Sequence, residues 1–437
     1  MSRASKRGGV PVVLFLSLAA CSAVAWRGGS RPATPPLALT TSSLVAPAPA
    51  SRLRAPAVTP ERLRASAQPE PAPKAKLNDD QGELRLRGRF SLASLRVDDA
   101  GTFVPLDDGG HARLSLDAAL QARADELVRM TQAPSAAIVL MEPTGRLLAV
   151  TGASTIDPSL QHELAVTTWA PAASIFKLVT ATALVQAGLD AETVVCHHGG
   201  SRAIDEAELD DDPRLDHECS SLGFAVGKSQ NVVLAKLTDR HLDLPALMRA
   251  ATALGFGEAP AFALAADPST ADLPTDRLEL ARAAAGFWRT ELSPLGGAVL
   301  AATIASGGLR PTPHVVDVVV DGGGRAVPTA PSAPARTLDP AVAQAVGQMM
   351  IHTTTDGTAA HLFRHRAGSA LDGFDVAGKT GSLSRRSTPS LHYSWFVGFA
   401  PAQAPRYVVS VLVANTDSGR YKAGHLARLL LEAALAR

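Results

Sequence analysis

Two pairs of β-rich runs, far apart in the chain, limit the folds that this sequence can adopt. Residues 136–141 and 146–151 flank the turn signal at 142–145 and predict a hairpin. Residues 393–400 and 407–415 predict a second pair of strands. Because the sequence between the two pairs is mostly helical in pattern, we predict an α+β fold whose sheet combines distant segments.

Helices and shorter strands are predicted around these pairs. Leu116, Leu120, Ala124 and Leu127 recur at helical spacing, and Asp117 can serve the first turn of the helix. Residues 423–437 predict a closing Leu-rich helix. In residues 82–105, loosely alternating apolar residues predict a few short strands.

The first residues predict export and membrane attachment. Arg3, Lys6 and Arg7 precede an apolar run at 10–26, the charge order of a secretory signal or signal anchor. Cys21 follows Leu-Ala-Ala, as in a bacterial lipoprotein signal, although a lone cysteine in an apolar helix is the alternative. We therefore divide the chain into a signal or anchor at 1–26, a Pro/Ala-rich linker at 27–78, a strand-rich segment at 79–111 and a main domain at 112–437.

The charge and the cysteines limit the kinds of ligand and partner that this chain could bind. The net charge of +1, from 42 basic and 41 acidic residues, offers no footprint for nucleic acid. Cys196 and Cys219 are expected to pair as a disulfide in an oxidising compartment. The alternative is a metal site that includes His197, His198 and His217, but no pair matches a usual zinc spacing. The acidic run at 205–216 lacks the Gly and Glu spacing of a calcium loop, and we expect a solvated loop.

Ser174 and Lys177 form the first candidate site, at the start of a helix that should end near Gly188. Positions three apart share a helix face, so the hydroxyl and the amine can meet. A desolvated lysine can lose its proton and act as a general base. Such a pair also occurs by chance on solvated helices, so it assigns no site by itself.

Two further motifs carry polar side chains. Ser229 and Asn231 could relay a proton and bind an amide carbonyl, or they could simply cap a helix. In the run Lys379-Thr380-Gly381-Ser382, the lysine would offer charge to a carboxylate and the glycine would let a ligand backbone lie along the strand. The alternative for this run is a hairpin tip with a solvated lysine.

The order Ser-x-x-Lys, Ser-x-Asn, Lys-Thr-Gly resembles the active-site triplet of penicillin-binding proteins and serine β-lactamases. The likeness covers residues 113–437, and further runs similar to penicillin-binding transpeptidase domains lie at 114–121, 143–149, 356–359, 377–381 and 395–401. The resemblance implies an antiparallel sheet with helices on both faces and a helical subdomain. It also implies an enzyme without a metal or other cofactor.

The resemblance implies roles for the first two motifs. Ser174 would be the nucleophile, and Lys177 the base that activates it. Ser229 would relay a proton to the leaving amine, and Asn231 would hold the substrate amide. The reaction would be D,D-transpeptidation of peptidoglycan stem peptides that end in D-Ala-D-Ala, with β-lactams acylating the same serine.

The third motif would bind the substrate, according to the same resemblance. Lys379 and Thr380 would hold the terminal carboxylate beside Gly381, and the backbone N–H groups of Ser174 and Ser382 would form an oxyanion hole. Two departures stand out: Ala172-Ala173 replaces a frequent Pro-Gly, and Ser382 replaces a threonine. The lost glycine raises the question of how the chain turns into the helix.

Other activities remain open on the sequence alone. A D,D-carboxypeptidase would use the same residues with water as acceptor, a serine β-lactamase would have to activate water for deacylation, and a penicillin sensor or scaffold would bind without turnover. Because the segment before residue 113 is too small for a glycan-polymerising domain, we expect a monofunctional protein with a separate glycosyltransferase as partner. Its role would lie in cell division or elongation.

Overall fold

A computed structural model of the chain describes residues 79–200, 203–364, 368–385, 390–416 and 421–437. The predicted signal or anchor, Cys21 and the linker at 27–78 lie outside these residues. Within the described part, none of the helices has the length and apolar content needed to cross a bilayer.

The strands of the described residues are labelled β1 to β17 in chain order. They are Arg96–Asp98, Gly101–Pro105, His111–Leu114, Ser135–Met141, Leu147–Ala153, Ala170–Pro171, Val194–His197, Glu218–Ser221, Thr270–Ala271, Thr290–Leu292, Leu309–Arg310, Val316–Val320, Ala326–Pro328, Ala335–Arg336, Ala377–Arg385, Leu391–Ala400 and Tyr407–Asn415. The α-helices, α1 to α11, are Ala118–Thr131, Glu163–Val166, Lys177–Gln186, Leu222–Lys228, Asn231–His241, Leu244–Ala253, Arg277–Ala284, Pro294–Ala305, Pro340–Thr355, Ala360–Phe363 and Ala423–Leu435. Short 3-10 helices are Asp79–Leu86, Leu92–Ser94, Ala173–Phe176 and Glu206–Glu208.

A five-stranded antiparallel sheet forms the centre of the fold, in the order β15-β16-β17-β4-β5. The two predicted hairpins meet where β17 pairs with β4, with Val411 opposite Ile138. The α+β prediction is therefore confirmed. The strand β15 lies at the edge of this sheet, which leaves one side of its backbone open to a ligand.

Helices cover both faces of the central sheet because its strands are apolar on both sides. On one face, α1 and α11 pack against Ile138 and Val411. On the other face, the apolar helix α8 packs against Val139 and Leu412, and α3 to α7 form the predicted helical subdomain. The predicted helix after Arg113 is α1, whose first N–H groups donate to the Asp117 carboxylate.

The segment at 79–111 differs partly from its prediction. Leu84 and Leu86 lie in a 3-10 helix rather than a strand, whereas β1 to β3 join β12 and β13 in a second five-stranded sheet. Glu83, which directly precedes Leu84, accounts for the difference, because its buried carboxylate accepts hydrogen bonds from the N–H groups of Val315 and Val316. Burial raises the pKa of Glu83 to about 7, against the lowering effect of these bonds.

The two remaining cysteines lie on adjacent strands. Cys196 on β7 and Cys219 on β8 are Cα partners, and their sulfurs form a disulfide. Among the residues that the structure describes, no group of three or more His, Cys, Asp or Glu side chains could hold a metal ion.

The acidic run at 205–216 is mostly exposed, as expected of a solvated loop, but the side chain of Asp216 at its end is withdrawn from solvent. The Asp216 side chain is only 6% exposed, and its carboxylate lies 2.9 Å from Lys236 Nζ and 2.6 Å from His198 Nδ1. Although burial acts the other way, these hydrogen bonds hold the pKa of Asp216 well below its usual range. Lys236 is fully buried on α5 and needs counter-charges, and Asp211 supplies a second one at 3.1 Å.

Candidate active site

Ser174 stands on a tight turn between β6 and α3. Ala173 before it has a left-handed backbone, with φ of +49°. A glycine adopts this conformation freely, whereas an alanine does so at a cost of about 1–2 kcal/mol. The turn expected from a Pro-Gly pair is thus present without the glycine, and neighbours hold it. The Trp395 indole N–H donates to Pro171 O at 2.9 Å, which ties the turn to the central sheet.

Lys177 begins α3, and its side chain is fully buried. Its Nζ lies 2.8 Å from Ser174 Oγ, 2.7 Å from Asn231 Oδ1 and 2.6 Å from the carbonyl oxygen of Ala285. Burial, and to a lesser extent the charge of Lys379, lower the pKa of Lys177 well below its usual value of 10.5. The amine therefore favours its neutral form, which can accept a proton.

Ser229 and Asn231 lie at the junction of α4 and α5. Ser229 ends α4 with a left-handed backbone, φ +59°, and its hydroxyl lies 2.9 Å from Lys379 Nζ. Asn231 is the first residue of α5 and turns its side chain to Lys177. The cap interpretation is thus wrong for these side chains, because both point into the cleft that contains Ser174.

Lys379 lies inside β15 rather than at a hairpin tip. Its side chain is fully buried, its Nζ donates to Ser229 Oγ and to Thr380 O, and it does not line the cleft. Burial lowers the pKa of Lys379 to about 7. The structure therefore places this amine behind Ser229, and the neighbouring Thr380 hydroxyl faces the cleft and lies 2.6 Å from Thr358 Oγ1.

Gly381 is explained by packing within the protein. A Cβ at this position would lie 3.1 Å from Trp395 Cβ and 3.4 Å from Ile175 Cγ1. The absent side chain thus lets the serine turn approach β15, whereas the sequence prediction gave that space to a ligand. Ser382, the next residue, is exposed and lines the cleft.

The cleft has a volume of about 550 Å³, and five of the predicted site residues line it. It is lined by Ser174, Ser229, Asn231, Thr358, His361, Leu362, Thr380, Ser382, Ser394, Trp395, Tyr421, Lys422, Gly424 and His425. The Ser174 hydroxyl, the buried Lys177 amine and the edge strand β15 therefore belong to one site. This arrangement can activate a hydroxyl for attack on a peptide that lies along β15.

Sequence reasoning missed two groups that form hydrogen bonds with the predicted side chains, the Thr358 hydroxyl and the Ala285 carbonyl. Thr358 belongs to the run at 356–359 that was noted for its resemblance alone, so a signal existed. The Ala285 carbonyl had no signal, because every residue type carries a backbone oxygen.

Comparisons with known proteins agree with this geometry. A family model described as the penicillin binding protein transpeptidase domain matches residues 136–435. The peptidoglycan D,D-transpeptidase PbpA of Mycobacterium tuberculosis is 28% identical over 341 residues, which cover 68% of this chain and 67% of that protein.

Solved structures give the same result. Penicillin-binding protein A from M. tuberculosis, in its ceftriaxone acyl-enzyme complex, matches with a TM-score of 0.62 and 25% identity over 75% of this chain and 80% of that one. A D,D-transpeptidase domain from Eggerthella lenta, 24% identical over 82% of this chain and 91% of its own, shares the fold with a TM-score of 0.62. The chain therefore belongs to the penicillin-binding protein transpeptidase family.

Proposed function

We propose that this protein is a D,D-transpeptidase that cross-links peptidoglycan stem peptides through an acyl-enzyme on Ser174. The observation that carries the proposal is the buried Lys177 amine, 2.8 Å from Ser174 Oγ. The names of the relatives support the substrate class.

The hydrogen-bonding groups around Lys177 suit a neutral amine. Such an amine has two N–H donors and one lone pair. The amide oxygen of Asn231 and the carbonyl oxygen of Ala285 can only accept, so they take the two N–H groups. The lone pair is left for the third neighbour, the Ser174 hydroxyl, whose O–H donates to it. Lys177 is thus oriented as the base.

In the acylation step, Ser174 Oγ attacks the carbonyl carbon of the penultimate D-alanine while its proton passes to Lys177. The tetrahedral intermediate collapses and the peptide C–N bond breaks, while the proton held by Lys177 passes through Ser229 to the nitrogen of the terminal D-alanine, which leaves. An amine of a second stem peptide then attacks the ester carbonyl carbon and gives its proton to neutral Lys177. The new peptide bond forms as the C–O bond breaks, and Lys177 returns the proton to Ser174 Oγ. The backbone N–H groups of Ser174 and Ser382 would stabilise each oxyanion, at about 3 kcal/mol for one donor.

The substrate carboxylate would lie against the hydroxyls of Thr380 and Ser229. Lys379 supports this position from behind, because its Nζ donates to Ser229 Oγ. A bound carboxylate favours the protonated form of Lys379, and that charge further disfavours a proton on Lys177. Substrate binding would therefore help to keep the base neutral.

Export, membrane attachment and a separate glycosyltransferase partner are part of this proposal. The basic residues before the apolar run at 10–26 support attachment at the outer side of the membrane. The long Pro/Ala-rich linker would then hold the catalytic domain away from the bilayer.

The test is labelling with a fluorescent penicillin, followed by mapping of the adduct by mass spectrometry. We expect a stable adduct on Ser174, none in Ser174→Ala, and normal labelling in Ser384→Ala, which replaces an exposed serine on β15. Incubation with a D-Ala-D-Ala peptide and an acceptor amine should give the cross-linked product. Labelling of Ser174→Ala would overturn the assignment, and rapid release of the adduct would indicate a β-lactamase instead.

A further inference from the structure

The cleft extends beyond the three motifs. From Ser174 it passes Ser382 and Ser394 and reaches the start of α11, where Lys422 and His425 line it together with His361 of α10. We call these last three side chains the cationic end. Among the described residues that line the cleft, none is an Asp or a Glu.

We propose that the cationic end binds a carboxylate carried by the donor peptide upstream of its D-Ala-D-Ala terminus. This inference rests on the proposed function and specifies its substrate: a peptide with two separated negative charges, one at each end of the cleft. Neither the three motifs nor the names of the relatives assign this preference.

The register of the sheet relates the cationic end to the carboxylate position at Thr380. Ser382 lies two residues after Thr380 on β15, which is about 7 Å at the usual rise of a strand. Ser382 pairs with Ser394 on β16, and Ser394 Oγ accepts a hydrogen bond from the N–H of Ala423 at the start of α11. A peptide that follows β15 from Thr380 thus reaches the cationic end about two residues before its carboxyl terminus.

The chemistry of the cationic end suits a carboxylate. Lys422 is exposed and supplies a full positive charge. The His425 ring stacks on Tyr421 with 5.7 Å between ring centres, which limits its orientations. Burial, with a smaller contribution from Arg428, lowers the pKa of His425, so its imidazole serves at neutral pH as an N–H donor. The two other amines near the cleft already have partners, because Lys177 is bonded to Asn231 and Lys379 is bonded to Ser229.

Two penicillins that differ by one carboxylate test the inference. Carbenicillin is benzylpenicillin with a carboxylate on the side-chain carbon, so the ratio of their second-order acylation rate constants isolates that charge. We expect Lys422→Gln to lower the carbenicillin-to-benzylpenicillin ratio about threefold to tenfold, and Lys422→Glu to lower it further. High salt should lower the ratio in the unmodified protein and have less effect in Lys422→Gln.

Arg123→Gln is the matched control. It also removes one positive charge, but from the outer face of α1, where Arg123 pairs with Glu126. Its ratio should equal that of the unmodified protein. An unchanged ratio in both Lys422 variants would overturn the inference while acylation itself upholds the proposed function. If neither penicillin acylates the unmodified protein, the proposed function fails as well.

Discussion

Gly286 is the residue whose replacement should disturb Ser174 most directly without touching a catalytic side chain. Its φ is +87°, and a Cβ added there would lie 2.5 Å from the carbonyl oxygen of Ala173 and 3.0 Å from Ser174 Cα. Both atoms belong to backbone, so no side chain can rotate away. Gly286→Ala must therefore displace the serine turn, the loop that carries Gly286, or both.

The size of the effect follows from these distances. Carbon–oxygen contacts in proteins begin at about 3.3 Å, so the two segments must separate by about 0.8 Å. A misplacement near 1 Å can cost about a hundredfold in rate, and shared movement reduces the cost. We expect benzylpenicillin acylation to slow about tenfold to a hundredfold. The positive φ adds about 1–2 kcal/mol of lost stability.

The assay compares Gly286→Ala with Gly257→Ala. Gly257 has a similar φ of +91° and nothing within 4 Å of an added Cβ, so its variant carries the backbone cost without the clash. Acylation rates come from quenched labelling with fluorescent penicillin, and stabilities from urea unfolding. Equal acylation rates in the two variants would refute the argument that Gly286 positions Ser174.

Two other predictions address the buried lysines. Because burial lowers the pKa of Lys177 and acylation needs the neutral amine, the acylation rate should fall with decreasing pH only well below pH 10.5. A fall near pH 10.5 in the pH–rate profile would contradict this. Lys177→Arg should abolish acylation at every pH, because a guanidinium keeps its proton. Lys236→Met leaves Asp216 buried without its ammonium partner and should lower the free energy of unfolding by about 3 kcal/mol. Arg113→Met, which removes a surface ion pair with Asp98, should lower the free energy of unfolding much less in the same urea titration, and equal losses would be inconsistent with the burial argument.

The elements with strong periodicity were predictable from sequence. The hairpin at 136–151, the helix after Asp117 and the last strand pair all appear, because each pattern is set by neighbours along the chain. The 3-10 helix around Glu83 was not predictable, since its carboxylate is held by N–H groups more than two hundred residues away.

The same distinction applies to the site. The order of the motifs correctly predicted that Ser174, Lys177 and the Lys-Thr-Gly strand share one site. It did not predict that Lys379 lies behind Ser229. The direction of a side chain on β15 depends on which face of the strand packs against the helices, and the residue type does not reveal it. The ion pair between Asp216 and Lys236 was not predictable either, because Lys236 lies on a separate helix and the sequence does not show that this helix packs against the end of the acidic run.

The two helices that supply oxygen atoms to Lys177 are joined to each other by a charged side chain. Asn231 opens α5, Ala285 follows α7, and Arg277 on α7 forms two 2.7 Å hydrogen bonds with Asp239 on α5. A change in the spacing of these helices would therefore lengthen one or both hydrogen bonds that hold the amine. The proton affinity of Lys177 is thus tied to the separation of two helices that lie outside the serine turn.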